Sequence, residues 1–165
     1  MYARSVLQKL MAKVWRALPP PMRRWSLRAT QTRFTVTAAA LIFNDAGQIL
    51  LLKHHFRPGS GWGIPGGFLE LGEQPEQALR RELREEIGLE VSQVEIFTAR
   101  SFKKPRQVEI VFRARTNTRV AQLKLSTMEV ERAEWFSVKS LPAGLPKDQQ
   151  LLIERATSYG ANGRD

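Results

Sequence analysis

The stretch that decides the fold is residues 67–89, which read GFLELGEQPEQALRRELREEIGL. Its second half carries carboxylates at Glu82, Glu85 and Glu86, and the i, i+3, i+4 spacing places them on one side of an α-helix. Like charges this close repel one another, so they do not stabilise an unliganded helix. A hard divalent cation such as Mg²⁺ binds carboxylate oxygens and would offset the repulsion. The sequence therefore predicts a helix with an acidic face suited to a metal ion.

The residues around these glutamates predict where the helix begins and ends. Pro75 is tolerated in a first helical turn, and the acidic Glu73 just before it suits the positive end of the helix dipole. Gly88 is placed to stop the helix, and Gly66-Gly67 are predicted to lie in the loop that leads into it. The apolar stripe opposite the glutamates consists of Ala78, Leu79, Leu83 and Ile87. We expect a loop, a helix and a stop, with one helix face packed and the other acidic.

The stretch resembles the Nudix box, G-x5-E-x7-R-E-U-x-E-E-x-G-U, in which U is a bulky aliphatic residue. Every specified position is matched, by Gly67, Glu73, Arg81, Glu82, Leu83, Glu85, Glu86, Gly88 and Leu89. Nine fixed positions in order are a specific signal. The resemblance to the Nudix hydrolase superfamily implies an α/β fold, with a mixed β-sheet sandwiched between α-helices. It also implies hydrolysis of a nucleoside diphosphate linked to another group, with Mg²⁺ as cofactor and Mn²⁺ as a substitute.

The resemblance assigns a role to each matched position of the box. The expected metal ligands are the side chains of Glu82, Glu85 and Glu86 and the backbone carbonyl of Gly66. Glu73 and Arg81 are expected to form an ion pair that supports the loop at Gly67. The general base is left open. Glu85 or Glu86 would serve as in some family members; Glu129, from a later loop, is the outside candidate, and Glu131 is its alternative.

Residues outside the box are candidates for substrate binding. Arg100, Lys103, Lys104 and Arg106 are placed in a basic loop that either binds phosphates or keeps a hairpin soluble. Arg57, after the pair His54-His55, would line the pocket, and Glu70 would contact substrate or a second metal ion unless it is a solvated loop residue. Pro105 lies sixteen residues after Leu89, a marker of ADP-ribose pyrophosphatases in the family. The expected substrate is therefore ADP-ribose or another nucleotide sugar.

Apolar and β-branched runs predict the rest of the domain. Strands are expected at residues 34–43, 49–53, 90–102, 108–115 and 131–136, and a closing helix at residues 147–158. We assign residues 33–158 to the Nudix hydrolase domain and residues 159–165 to a frayed tail. The chain has no cysteine, which excludes disulfides, thiolate zinc sites and cysteine nucleophiles.

The positive charge is concentrated in residues 1–32 and at Arg33. The first 33 residues carry eight basic residues and no acidic one, which leaves 18 of the 26 basic residues and all 16 acidic ones for the rest of the chain. The pI near 10.7 is thus mostly a property of this segment. We assign residues 1–32 to a basic amphipathic N-terminal arm, because apolar residues recur at helical spacing between Val6 and Leu18. This first segment of the arm ends at Pro19–Pro21, and a second short basic-apolar piece follows at residues 22–27.

The arm has three interpretations. In the first, the arm packs on the catalytic body or on a second subunit in a homodimer. In the second, residues 1–28 lie on an anionic membrane surface. In the third, the arm is an organellar transit peptide. Without a long apolar run, a cytoplasmic enzyme is expected, either free or peripheral at the membrane. Two other functions stay open: an RNA 5′-end pyrophosphohydrolase, with the arm as an RNA track, and a non-catalytic module that senses nucleotides.

Overall fold

The computed structural model describes residues 2–125 and 128–161 of the chain. These residues fall into two compact units, which divide between Arg33 and Phe34. The first unit consists of helices α1 (Tyr2–Ala17) and α2 (Pro20–Thr30). The second helix begins within the proline run, because proline is tolerated in a first helical turn, and it is longer at both ends than the predicted piece at residues 22–27.

The second unit is built on a sheet, which in the described residues has seven strands. The elements are β1 (Thr35–Phe43), β2 (Ile49–His54), β3 (Trp62–Gly63), β4 (Gly66–Phe68), α3 (Pro75–Ile87), β5 (Ser92–Phe102), β6 (Gln107–Arg115), a 3-10 turn (Val120–Gln122), β7 (Val130–Phe136) and α4 (Lys147–Ala161). The main path runs β3-β2-β1-β6-β5, while β4 pairs with β1 and β7 pairs with β2. The β1–β6 pair is parallel and the other pairs are antiparallel, so the sheet is mixed.

A hydrophobic core lies on each face of the sheet, because successive residues of β1 point to opposite faces. Ala38, Ala40 and Ile42 pack in one core with the apolar stripe of α3. Ala39 and Leu41 pack in the other with Ile153 and its neighbours on α4. The sheet is therefore sandwiched between α3 and α4, and the predicted α/β fold is confirmed.

The boundaries of α3 follow the predicted signals. The helix starts at Pro75, and the Gln74 N–H donates to Gln77 Oε1 across 2.9 Å at its N-terminus. Gly88 ends it in the left-handed region, with φ of 64°, and donates its N–H to the Arg84 carbonyl. Glycine reaches this conformation without the steric cost that a Cβ atom brings.

Three predictions about segments were wrong. Gly66 and Gly67 do not lie in a loop but in β4, where Gly66 pairs with Ala39 of β1. Arg100 lies within β5 and not in the loop after it. The closing helix extends to Ala161, so residues 159–161 of the predicted tail are helical, and residues 162–165 lie outside the described part of the chain. None of the described helices is long and apolar enough to cross a bilayer.

Candidate active site

Arg81 is the centre of an ion-pair network at the start of the site. Its guanidinium donates to both carboxylate oxygens of Glu73 at 3.0 Å, to Glu82 Oε1 at 3.0 Å and to Glu85 Oε2 at 3.2 Å. It also donates to the Phe68 carbonyl at the end of β4. One side chain thus ties the loop before α3, the strand β4 and the acidic face of the helix together.

Gly67 lets β4 approach the helix closely. A Cβ atom at this position would collide with the carboxylate of Glu82, so a larger residue would displace either β4 or that carboxylate. The glycine of the box is therefore required by packing against one of the predicted metal ligands.

Glu86 is buried, although it belongs to the acidic face that was predicted to lie opposite the packed one. Only 5% of the residue is exposed, whereas 62% of the Glu85 side chain is exposed. Burial, and next the negative charges of Glu82 and Glu129, raise the pKa of the Glu86 carboxyl to about 8. Its Oε2 has no hydrogen-bond partner among the described residues.

His54, at the end of β2, adjoins this carboxyl. Its Nδ1 lies 3.9 Å from Glu86 Oε1, but burial, with the charges of Arg57 and His55, lowers the pKa of the imidazole to about 4. Both groups are therefore largely neutral at pH 7 in the metal-free protein, and the contact is not an ion pair. The buried Nε2 of His54 likewise has no hydrogen-bond partner in the described structure.

Arg57 lies in the interior of the site. Its Nη2 donates to the Ile64 carbonyl at 3.4 Å, while the buried Nη1 lacks a partner among the described residues. Burial lowers the pKa of the guanidinium, and the negative charges of Glu86 and Glu109 oppose that shift. The charge of Arg57 thus interacts with Glu86 of α3 and with Glu109 of β6.

The donor set suits a divalent cation, though it is not assembled as a closed metal site. No three His, Asp or Glu side chains of the described residues are grouped as metal ligands, since Arg81 bonds both Glu82 and Glu85. Glu86, however, presents a buried oxygen without a hydrogen-bond donor, next to other carboxylates that disfavour its charge. A cation would satisfy that oxygen and relieve that repulsion, so the residues fit a hard divalent ion.

The two candidate bases outside the box differ in their surroundings. Glu129 is exposed, and its charge acts on both Glu82 and Glu86, which places its carboxylate beside the acidic face of α3. Glu131 instead accepts a hydrogen bond from Lys53 Nζ at 2.8 Å. Of the two, Glu129 is the one whose charge acts on the acidic face of α3, and its role as the general base stays a prediction.

The predicted substrate residues do not form one group. Arg100 Nε donates to Glu109 Oε2 at 2.6 Å and its Nη1 donates to Asp148 Oδ2 at 2.7 Å, which joins β5, β6 and α4. Lys103 and Arg106 are exposed in the turn between β5 and β6. Glu70 is exposed too, and its N–H donates to Glu73 Oε2.

Sequence reasoning missed Glu109 and the burial of Glu86. Glu109 faces Arg100 across the β5–β6 pair, and this contact depends on strand register. The signal available in the sequence was the only acidic residue of the strand QVEIVFRAR, set between apolar neighbours, where a charge normally needs a partner. Burial of Glu86 follows from the packing of α3 and has no counterpart in the spacing of the box.

Comparisons with known proteins agree with this architecture. The NUDIX domain profile matches residues 33–156. The chain is 35% identical over 103 residues to the NAD-capped RNA hydrolase NudC of Vibrio atlanticus, an alignment that covers 62% of this chain and 37% of that protein. It is 26% identical over 110 residues to a mitochondrial NAD(P)H pyrophosphatase of Homo sapiens, covering 66% of this chain and 31% of that protein.

Among solved structures, the MutT NUDIX hydrolase of Burkholderia pseudomallei superposes with a TM-score of 0.65 at 26% identity, covering 74% of this chain and 98% of that one. The chain spans less than half the length of the curated relatives that it matches. The profile match covers most of the chain and includes the complete box, the sheet, α3 and the first ten residues of α4. The chain therefore belongs to the NUDIX family.

Proposed function

We propose that this protein hydrolyses the diphosphate linkage of a nucleoside diphosphate joined to a second group, with Mg²⁺ as cofactor and Mn²⁺ as a substitute. The observation that carries the proposal is the buried Glu86 carboxyl, whose Oε2 lacks a partner in the described structure and whose charge Glu82 and Glu129 disfavour. A buried carboxyl without a hydrogen-bond partner destabilises the fold unless a ligand binds its free oxygen. A divalent cation with its diphosphate substrate is such a ligand.

We assign a separate role in the reaction to each residue of the site. Glu82, Glu85 and Glu86, with the Gly66 carbonyl, would hold the ion, which when bound supplies charge neutralisation at the diphosphate and a more acidic water. Arg81 fixes Glu82 and Glu85 in place through its contacts with Glu73. Glu129 is proposed to accept the proton of the attacking water, with Glu85 or Glu86 as the alternative bases.

Arg57 is proposed to contact the diphosphate. Its guanidinium has a buried Nη1 without a partner in the described residues, and phosphate oxygens are the acceptors that guanidinium N–H groups bind best. Arg100 is already bonded to two carboxylates, so its role is to hold β5 and α4 together. Phosphate binding by Lys103 and Arg106 stays a prediction, as does contact of Glu70 with the substrate or a second metal ion.

The names of the relatives indicate which substrates should be tested first. NudC acts on NAD-capped RNA and the human relative on NAD(P)H, by their names, and both molecules contain a diphosphate between two nucleosides. NADH and ADP-ribose are therefore the first small-molecule candidates. RNA with a modified 5′ end is the second candidate function, which the NudC relatives and the basic arm favour.

A substrate panel tests the proposal directly. We expect release of nucleoside monophosphate from NADH or ADP-ribose in Mg²⁺, loss of turnover in excess EDTA, and recovery on adding Mg²⁺ or Mn²⁺. NAD-capped RNA and triphosphorylated RNA are tested as macromolecular substrates in the same panel, and the products are measured by chromatography. Turnover that persists in EDTA would contradict the metal mechanism. Substrate binding without any turnover would favour a sensing module.

The arm is proposed to bind an anionic membrane surface from the cytoplasmic side. Leu10, Met11 and Val14 of α1 and Trp25 of α2 are each more than half exposed, and the arm carries no acidic residue. Short helices with an exposed apolar stripe are marginal in water alone. An anionic bilayer takes up both the apolar side chains and the charge, at about 1 kcal/mol for each Lys or Arg near the surface.

We expect full-length protein to co-sediment with vesicles that contain phosphatidylserine, and not with vesicles of pure phosphatidylcholine. The double variant Leu10→Ser, Val14→Ser should lose most of this binding, and raised salt should weaken it in the wild type because ions screen the attraction. Leu151→Ser, an exposed apolar position of α4, is the control. A variant that binds as well as wild type would contradict the proposal. A change in mass by light scattering would indicate that the arm forms a homodimer instead.

A further inference from the structure

The loop that carries Arg57 joins β2 to β3 and is bonded to other segments at both ends. At its start, the His55 N–H donates to the Glu129 carbonyl at 3.0 Å. At its end, the Ser60 hydroxyl donates to the Gly144 carbonyl at 2.9 Å, and a Cβ atom at Gly144 would press against the Ser60 side chain. The loop is therefore held between the residue that precedes β7 and the segment that leads into α4.

The guanidinium of Arg57 lies against a residue that has no side chain. A Cβ atom added to Gly63 of β3 would collide with Nη1 and Cζ of Arg57. Gly63 pairs with Leu52 of β2, so this glycine belongs to the sheet. The guanidinium thus occupies the space that a larger residue at this strand position would fill, and we call this space the Gly63 seat.

Gln149, in the first turn of α4, reaches the same place from the helix. Its Oε1 accepts the Ile64 N–H at 2.9 Å and lies 3.1 Å from the point where a Cβ atom of residue 63 would be. The Ile64 carbonyl accepts a hydrogen bond from Arg57 Nη2 at 3.4 Å. Ile64 is therefore bonded to Gln149 through its N–H and to Arg57 through its carbonyl.

The backbone at Ile64 links these two contacts rigidly. A residue that precedes proline is restricted to extended conformations, and Ile64 precedes Pro65. Ile64 is only 3% exposed, and the Pro65 carbonyl accepts the Ala40 N–H of β1 at 2.9 Å. Because the backbone has so little freedom here, the bond to Gln149 also determines where the Ile64 carbonyl meets Arg57.

Arg57 depends on this support, since its Nη1 is buried without a hydrogen-bond partner among the described residues. We propose that Gln149 is a positioning residue for phosphate binding. It holds Ile64 and, through Ile64 and the Gly63 seat, keeps the Arg57 guanidinium where Nη1 donates to a diphosphate oxygen. Gln149 itself does not touch the substrate. This inference rests on the proposed function, in which Arg57 contacts the diphosphate.

Equilibrium binding of ADP-ribose in EDTA tests the role of Gln149. Arg57→Met should weaken binding about tenfold or more, because hydrogen bonds to a charged group are lost. Gln149→Leu should weaken it about three- to tenfold, the cost of ordering one side chain that is no longer held in place. Gln150→Leu is the matched control, since Gln150 bonds the Leu145 carbonyl and not β3, and its affinity should stay as in wild type. Undetectable binding by wild type, or wild-type affinity in Arg57→Met or Gln149→Leu, would overturn the proposal.

The double variant Arg57→Met, Gln149→Leu separates positioning from a general effect on the fold. If Gln149 acts through Arg57, the double variant should bind ADP-ribose as Arg57→Met does, because residues that serve one interaction have non-additive effects. A merely structural role for Gln149 would instead add its full loss of affinity to that of Arg57→Met. Additive losses would therefore overturn the proposal.

Gly63→Ala tests the Gly63 seat while Gln149 stays in the chain, and it decides the question if Gln149→Leu does not fold. The added methyl group displaces the end of a flexible side chain, so the unfolding midpoint should stay close to that of wild type. Binding of ADP-ribose should fall as it does in Arg57→Met, and combining the two substitutions should cause no further loss. Wild-type affinity in folded Gly63→Ala would contradict the seat and with it the proposal.

These binding measurements need neither metal nor turnover, so they separate the two proposals. A protein that shows the expected losses of affinity but hydrolyses nothing would contradict the proposed hydrolysis and keep the positioning role. A protein that hydrolyses ADP-ribose or NADH, while Gln149→Leu and Gly63→Ala bind as wild type does, would keep the hydrolysis and overturn the positioning role.

Discussion

Glu86→Gln should lower turnover in saturating Mg²⁺ by roughly 10²- to 10³-fold, the loss typical of removing one group that stabilises charge in a transition state. The substitution keeps the shape of the side chain and removes the charge that the cation would bind. Glu86 is the buried member of the acidic face, and its Oε2 has no hydrogen-bond partner among the described residues. Initial rates with NADH or ADP-ribose over a Mg²⁺ titration measure the effect.

Two further variants on α3 show whether the loss depends on the predicted metal ligands or on any carboxylate of the helix. Glu76→Gln removes an exposed carboxylate that pairs with Arg80 one turn away, and we expect its turnover to stay close to wild type. Glu85→Gln removes a predicted ligand that is mostly exposed and bonded to Arg81, and a large loss is expected there too. Near wild-type turnover in Glu86→Gln, with the same unfolding midpoint as wild type, would show that the ion is held elsewhere.

The architecture was predictable because its signals are local. The apolar runs at residues 34–43 and 49–53 contain too few polar residues for an exposed strand, and both became central strands with a core on each face. The start and stop of α3 depend on Pro75 and Gly88, whose backbone preferences act within one turn. The two short strands β3 and β4 were missed, because two or three residues rich in glycine carry no periodic pattern and form strands only by pairing with β1 and β2.

The sequence predicted which residues form the site, but not how deeply each of them is buried. Helical spacing places Glu82, Glu85 and Glu86 on one side, but it does not determine that Glu86 is buried while Glu85 is exposed. That difference arises from how α3 is rotated against the sheet, where it packs chiefly on β1 and β4, and this rotation is a tertiary property. The contact of Arg100 with Glu109 depends in turn on the register between β5 and β6, where a slip of one residue would reverse the face of the sheet to which each side chain points.

The burial of Glu86 also determines how stability should depend on pH in the metal-free protein. Its pKa is raised from 4.5 to about 8, chiefly by burial, so between these values the native state binds more protons than the unfolded state. Stability therefore falls as pH rises through this range. His54 acts in the opposite direction at lower pH, because its pKa is lowered from 6.5 to about 4 and stability falls as pH drops below 6.5. Above pH 6.5 the contribution of His54 no longer changes, whereas that of Glu86 still does.

We therefore expect Glu86→Gln to be more stable than wild type at pH 8 in EDTA, by on the order of a few kcal/mol, since one pKa unit corresponds to about 1.4 kcal/mol. The difference should shrink towards pH 5, where the wild-type carboxyl is protonated in the native state. Urea unfolding from pH 5 to 8.5 gives both free energies, and Glu76→Gln controls for the charge of the helix. Saturating Mg²⁺ should reverse the order at pH 8, because an ion that binds the native wild type stabilises it by mass action. A variant that is less stable than wild type in EDTA at pH 8 would mean that the attraction between ionised Glu86 and Arg57 outweighs the cost of burying the carboxylate, and that Glu86 supports the fold without a metal ion.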